Sequence, residues 1–117
     1  MESKKFLVTF IFSLLFMFLT SNIFAQKIYS VDYESDADVK VFVSDYSSDA
    51  DLVVYKCSYK SDASGNKGLW YFVDYTSDAD KKVYFVDYKS DADCIIYFSD
   101  YKSDAAWKNS SKKSLFY

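Results

Sequence analysis

Residues 83–93 have the sequence VYFVDYKSDAD, an apolar and aromatic run followed by a hexapeptide that begins at Tyr88. The same pattern, Tyr-x-Ser-Asp-Ala followed in most copies by Asp, occurs six times in the chain. The six hexapeptides begin at Tyr33, Tyr46, Tyr59, Tyr75, Tyr88 and Tyr101. Successive tyrosines lie 13 residues apart, except that the third and fourth lie 16 apart. Such a fixed period indicates a repeat architecture.

The runs between the hexapeptides are rich in Val, Ile, Tyr and Phe, which favour β-strands. A strand of about six residues and one turn fill a 13-residue unit, so the unit has no room for a crossover helix. The longer spacing contains both glycines, Gly65 and Gly68, and divides the repeats into two groups of three. The sequence therefore predicts an all-β domain of six short strands, in two halves related by a pseudo-twofold axis.

Both faces of each predicted strand carry apolar residues. The repeat tyrosine shares one face with the positions two and four before it, and that face is aromatic or apolar in most repeats. The position five before the tyrosine, on the opposite face, is always Ile, Val or Trp. The regular spacing of the aromatic residues favours a place in the core over a sugar-binding surface. Periodicity alone permits a β-solenoid or a closed ring of short strands.

The hexapeptides carry four Asp-x-Asp pairs, a spacing that begins many Ca²⁺-binding loops. An EF-hand loop also needs Gly at its sixth position and Glu at its twelfth, and neither follows any of these pairs. Ser and Asp side chains also accept hydrogen bonds from nearby backbone N–H groups and so stabilise turns. Turn capping is therefore the prediction, no metal ligand is assigned, and a Ca²⁺-dependent binding module is the alternative. The pairs are Asp36/Asp38, Asp49/Asp51, Asp78/Asp80 and Asp91/Asp93.

Residues 1–25 have the three parts of a secretory signal peptide. Two lysines precede an apolar run at residues 6–19, and Ala25 stands at the expected cleavage position. The run is shorter than the roughly 20 residues that span a bilayer. We expect cleavage between Ala25 and Gln26, a secreted or periplasmic location, and no membrane span after the leader is removed.

The composition excludes several classes of function. The chain has no His, no Pro and no Arg, so it has neither a Ser-His nor a Cys-His dyad, and no bidentate clamp for phosphate. Its formal net charge of −3 makes it a poor partner for a nucleic-acid backbone. The carboxylates recur in equivalent settings, so none is singled out as a catalytic acid or nucleophile. We expect no enzyme activity, no cofactor and no nucleic-acid partner.

The two cysteines, Cys57 and Cys94, occupy different positions in their repeats. Export makes a disulfide chemically possible, whereas small buried thiols are the other interpretation. Sequence alone does not set the distance between them, so both alternatives stay open.

The hexapeptide, the intervening Val-Tyr-Phe-Val-Asp-Tyr and the ending at residues 101–109 resemble one family. It is a group of small uncharacterised bacterial proteins, a domain of unknown function that is predicted to form a seven-crossing torus knot, the septoil knot. The resemblance covers residues 27–109, nearly all of the mature chain. It implies a compact, monomeric, deeply knotted all-β domain, and it brings no activity, cofactor or catalytic residue. Because knots are rare, an unknotted β-solenoid is the alternative fold.

The predicted organisation is a signal peptide at residues 1–25, the knotted repeat domain at residues 26–109 and a flexible tail at residues 110–117. The tail prediction depends on the polar run at residues 110–113. We expect an exported, very stable, non-enzymatic domain with a structural or binding role and an unspecified partner.

Overall fold

The computed structural model describes residues 26–117, so the signal peptide predicted for residues 1–25 lies outside the described residues. Six main strands and one short final strand follow one another along the chain. They are β1 (Gln26–Ser30), β2 (Val39–Val43), β3 (Leu52–Lys56), β4 (Leu69–Phe72), β5 (Lys81–Phe85), β6 (Cys94–Ser99) and β7 (Ala106–Trp107). The six strands predicted from the 13-residue repeat are therefore confirmed, and β7 is an addition.

Each hexapeptide forms one 3-10 turn between strands. The repeat tyrosine is extended, as at Tyr33 with φ −123° and ψ 133°, and the next three residues make the turn. Its hydrogen bonds are backbone to backbone; the N–H of Asp36, for example, donates to the carbonyl of Tyr33 at 3.1 Å. The turns are Glu34–Asp36, Ser47–Asp49, Lys60–Asp62, Thr76–Asp78, Lys89–Asp91 and Lys102–Asp104.

The strands close into a barrel in which the two halves of the chain alternate. Their order is β4-β1-β5-β2-β6-β3, and β3 also pairs with β4, which joins the two ends of the sheet. All of these pairings are parallel, whereas β7 lies antiparallel on β3. Every ladder in the described part of the chain joins a strand of the first half, β1 to β3, to a strand of the second half, β4 to β7. Within the described residues, strands that follow each other across a hexapeptide turn are not neighbours, except β3 and β4 at the junction of the halves, so the halves wind around one another.

Each of the six main strands pairs with one neighbour along its first residues and with another neighbour along its last residues. Ile28 lies opposite Phe72 of β4 on one side and Lys81 of β5 on the other. The same relation recurs one repeat later, where Val41 lies opposite Phe85 and Cys94. This recurrence relates successive repeats of each half to one another around the barrel, and the pseudo-twofold relation between the halves stays a prediction.

One residue of each strand forms the centre of the core. It is the residue five positions before the repeat tyrosine, and its exposure is 0% in all six strands. A second layer comes from residues two positions earlier, such as Val39, Leu52 and Cys94. The aromatic residues four positions before the tyrosine are half-buried on the outer face. The six central residues are Ile28, Val41, Val54, Trp70, Val83 and Ile96.

The flexible tail predicted for residues 110–117 is wrong. Residues Ser110–Phe116 form a 3-10 helix that Asn109 caps by accepting a hydrogen bond from the N–H of Ser111. Phe116 is 2% exposed and packs on Trp70, with 5.3 Å between the ring centroids. The side-chain amide of Gln26 donates to the carbonyl of Phe116 at 3.1 Å. The polar run therefore carries a terminal aromatic residue back onto the core.

Within residues 26–117, no helix has the length and apolar character needed to cross a membrane.

Candidate functional site: a surface of repeated tyrosines

The six repeat tyrosines, here called the turn tyrosines, are all exposed. Their exposed fractions lie between 69% and 71%, so each ring has nearly the same environment. The expectation that the regularly spaced aromatic residues belong to the core is wrong for these six. Each precedes a 3-10 turn in extended backbone, where its side chain leaves the barrel instead of entering it. The domain therefore displays six equivalent aromatic rings that its core does not use.

Carboxylates flank the turn tyrosines along the chain. An aspartate follows each tyrosine by three positions, and an aspartate directly precedes five of the six, with Ser58 in the remaining place. Two of the aspartates meet lysines of the other half: Lys89 Nζ lies 3.9 Å from Asp49 and Lys102 Nζ lies 3.7 Å from Asp62. These ion pairs are about half-exposed and contribute little stability. The surface thus combines aromatic rings with hydrogen-bond acceptors.

The second aspartate of four hexapeptides joins the two halves, and we call these residues the clamp aspartates. The N–H of Lys82 donates to Asp38 Oδ2 at 2.9 Å, while the N–H of Asp38 donates to the carbonyl of Lys82 at 2.8 Å. The same reciprocal pair of bonds recurs at the other three. The clamp aspartates, each with its partner, are Asp38 with Lys82, Asp51 with Ile95, Asp80 with Lys27 and Asp93 with Lys40.

The local turn-capping role predicted for these four residues is therefore wrong, because their side chains bond to a strand that is distant in sequence. The two hexapeptides without a second aspartate are the last of each half, where Ser64 and Ala106 stand instead. Ser64 leads into the glycine-containing insert, and Ala106 belongs to β7. The departures from the repeat thus fall at the end of each half of the chain.

The carboxylates do not gather into a metal centre. Residues 26–117 contain no group of three or more His, Cys, Asp or Glu side chains arranged to hold a metal ion. In each clamp aspartate, Oδ2 already accepts a backbone N–H, and in Asp51 the other oxygen, Oδ1, also accepts the side-chain amide of Asn109 at 3.1 Å.

The two cysteines are both buried and unpaired, which decides between the two alternatives in favour of buried thiols. Burial, followed by the negative charge of the neighbouring Asp51, raises the pKa of the Cys94 thiol to about 12. Burial, followed by the charge of Asp62, also raises the pKa of Cys57. A nucleophilic cysteine needs a lowered pKa and access to substrate. Neither thiol meets these conditions.

A closed parallel barrel whose two halves alternate at every ladder defines an all-β domain in which the chain is wound through itself. The chain belongs to the 7(1) septoil knot domain family, which matches it over residues 25–108. The resemblance drawn from the hexapeptides is thereby confirmed, together with the knotted all-β fold. The alternative of an unknotted β-solenoid is wrong. No curated protein and no solved structure matches this chain.

Sequence reasoning located the residues of the site but gave the turn tyrosines the wrong environment. The position five before each tyrosine is Ile, Val or Trp in every repeat, whereas the position two before varies between Val, Ser and Cys, and this contrast between the two faces distinguishes the inward one. The invariant position marks the inward face, and the tyrosine lies on the opposite one.

Proposed function

We propose that this protein is an exported, non-enzymatic binding domain whose knotted barrel displays the turn tyrosines to a partner. The observation that carries the proposal is the nearly equal exposure, 69–71%, of all six rings. A core residue is kept by packing, but an exposed large aromatic residue gains little from it. Six exposed rings in equivalent places therefore indicate a surface used for recognition.

The leader and the domain boundary support export. Residues 1–25 carry the charged start, the apolar run and the final alanine of a signal peptide. The family match begins at residue 25 and β1 begins at Gln26, next to the cleavage position predicted from the sequence. Amino-terminal sequencing of the protein from the periplasm or medium should find Gln26 first. Recovery in the cytosol with residues 1–25 intact would contradict export.

The chemistry of the surface supports a non-enzymatic role. Catalytic carboxylates need unlike environments that separate their pKa values, whereas the carboxylates beside the turn tyrosines are exposed, apart from the half-buried Asp62. Both thiols are buried, and the chain has no histidine.

The interwound halves support high resistance to denaturant and protease. No edge strand of one half can separate without breaking ladders to the other half. Unfolding kinetics in guanidinium test this directly, and ready unfolding in moderate urea would contradict it.

The binding role is tested by replacing the turn tyrosines one at a time with serine. Each change should alter the free energy of unfolding by less than about 0.5 kcal/mol, as expected at exposed positions. Tyr55→Ser is the matched control, because Tyr55 packs on the buried cluster of Cys57, Ala63 and Leu69, and it should be clearly destabilising. If the six exposed changes cost as much as the control, the rings serve the fold and the proposal fails.

The alternative, a Ca²⁺-dependent binding module, predicts a higher melting temperature in millimolar Ca²⁺ than in EDTA. A ligand at one hundred times its dissociation constant adds about 2.7 kcal/mol of stability. We expect no shift, because one oxygen of each clamp aspartate is already bonded to the other half. A clear upward shift would establish the alternative instead.

A further inference from the structure

Two clefts occupy equivalent places in the barrel. The first has a volume of about 590 Å³ and lies beside the first hexapeptide, between Tyr29 and Tyr33. The second has a volume of about 500 Å³ and lies beside the sixth, between Tyr97 and Tyr101. In both clefts the two tyrosines are four positions apart, the first half-buried and the second exposed. Both volumes lie in the range of small-ligand sites.

The polar residues of the two clefts also correspond. Asp32 and Asp36 flank Tyr33 in the first cleft, as Asp100 and Asp104 flank Tyr101 in the second. The opposite half of the chain supplies the residue directly after a turn tyrosine in both cases, and that residue carries a hydroxyl. It is Thr76 in the first cleft and Ser47 in the second. The same chemical set therefore recurs at two places related by the repeat.

The clefts offer both acceptors and donors. Within the described residues, the side chains of Asp32, Asp36 and Asp100 take part in no hydrogen bond or ion pair. Asp104 Oδ2 already accepts the hydroxyl of Ser99 at 2.7 Å, which fixes that carboxylate at the wall of the second cleft. Each cleft also has one lysine.

The two lysines differ in what they bind. Lys108 Nζ donates to the carbonyl of Ser47 at 2.7 Å. Lys82 lines the first cleft; its backbone N–H and carbonyl both bond to Asp38, and within the described residues its ammonium makes no hydrogen bond or ion pair. The ammonium of Lys82 thus adds a donor to the acceptors of the first cleft.

We propose that each cleft binds one pyranose unit of a neutral polysaccharide, an inference that rests on the proposed binding function. An aromatic face packs against the C–H face of a sugar ring, and carboxylates accept hydrogen bonds from its hydroxyl groups. The paired carboxylates oppose an anionic polymer. Tyrosines and carboxylates alone would favour a cationic amine as the ligand. The positive charge of the lysine in each cleft disfavours such a ligand.

The doubled site fits a polymer better than a single sugar. Two clefts on one domain can engage a long polymer at two points, and where the polymer spans both clefts the second contact forms at a high effective concentration. Weak individual sites thereby give a useful overall affinity.

The test is a titration of the mature protein with three neutral hexasaccharides: cellohexaose, maltohexaose and chitohexaose. Calorimetry gives the stoichiometry, and backbone NMR shifts report which cleft is occupied. We expect at least one of them to occupy two sites, Tyr33→Ala and Tyr101→Ala each to leave one site, and the double variant to leave none. Affinity at an altered cleft should fall about tenfold or more, equivalent to about 1.4 kcal/mol.

Two further variants separate recognition from folding. Asp32→Asn with Asp36→Asn keeps the size of the side chains and should weaken only the first cleft. Tyr117→Ala removes a ring that is 74% exposed but lines neither cleft, and it should leave both sites unchanged.

The inference is overturned if none of the three hexasaccharides binds, or if binding survives in the Tyr33→Ala, Tyr101→Ala double variant. Tighter binding of spermine or of polygalacturonate would also overturn it and would identify a charged ligand. These outcomes would leave the proposed binding function standing. That proposal has its own test and fails if the serine substitutions at the turn tyrosines destabilise the fold.

Discussion

Removing a clamp aspartate should loosen the contact between the two halves, and Asp93 gives the sharpest case. Its Oδ2 accepts the partly buried N–H of Lys40 at 2.9 Å. A hydrogen bond to a charged group contributes about 1.5–3 kcal/mol, and its loss leaves a strand N–H without a partner. Asp93→Ala should therefore cost about 2 kcal/mol, which lowers the melting temperature of a domain of this size by roughly 8–16 °C.

The matched control is Asp91→Ala in the same turn. The side chain of Asp91 is exposed and, within the described residues, makes no hydrogen bond or ion pair, so its loss should cost less than about 0.5 kcal/mol. Asp80 should fall between the two, because its bond to the N–H of Lys27 is exposed.

The assay is guanidinium unfolding followed by tryptophan fluorescence, with equal slopes required for all variants. Asp93→Asn adds a further check, because its amide oxygen can still accept the N–H and should restore part of the loss. Equal midpoints for Asp93→Ala and Asp91→Ala would refute the clamp and return both residues to a local role in the turn.

Three further perturbations test the core, the linker and the buried thiol. Phe116→Ala should cost about 3–5 kcal/mol, whereas the exposed neighbour Tyr117→Ala should be neutral; equal melting temperatures would mean that the tail does not seal the core. Gly68→Ala should destabilise far more than Gly65→Ala, since both have positive φ but only at Gly68 would a Cβ collide with the carbonyl of Val53; comparable urea midpoints would contradict this. Because the pKa of Cys94 is raised in the folded protein, the unfolded chain loses the thiol proton at a lower pH than the folded protein does. The stability that the protonated thiol contributes is therefore complete below about pH 9 and is lost towards pH 12. In that window stability should fall by up to about 1.4 kcal/mol per pH unit, and Cys94→Val should flatten the curve; an unchanged slope would be the contrary result.

The sequence was sufficient for the strands and turns because both depend on local chemistry that recurs every 13 residues. The family was also predictable, because the hexapeptide is specific. The inward face of the strands was harder to predict. Tyr29 and Ile28 are adjacent and both apolar, and a shift of one residue exchanges the two faces of a strand. Only the closed barrel decides that Ile28 is fully buried, Tyr29 half-buried and Tyr33 exposed.

The long-range partners could not be derived from local patterns. Asp38 bonds to Lys82, 44 residues away, and nothing near Asp38 in the sequence specifies that strand. The same limit applies to the tail. Its polar run by itself predicts mobility, and the packing of Phe116 is predictable only once its partners in the core are known. That site includes Trp70 and Trp107, which come from two different strands. The clefts likewise combine both halves, so they become visible only once the pairing is known.

The alternation of the two halves around the barrel gives one polypeptide the architecture of an obligate dimer of three-repeat units. Each half lacks any ladder of its own, so neither half alone has a neighbour for its strands. A break in the segment between β3 and β4 would leave two fragments that must find each other, and their folding would then depend on concentration. The short insert around Gly65 and Gly68 therefore acts as a covalent linker, which makes the pairing of the two halves intramolecular and independent of protein concentration.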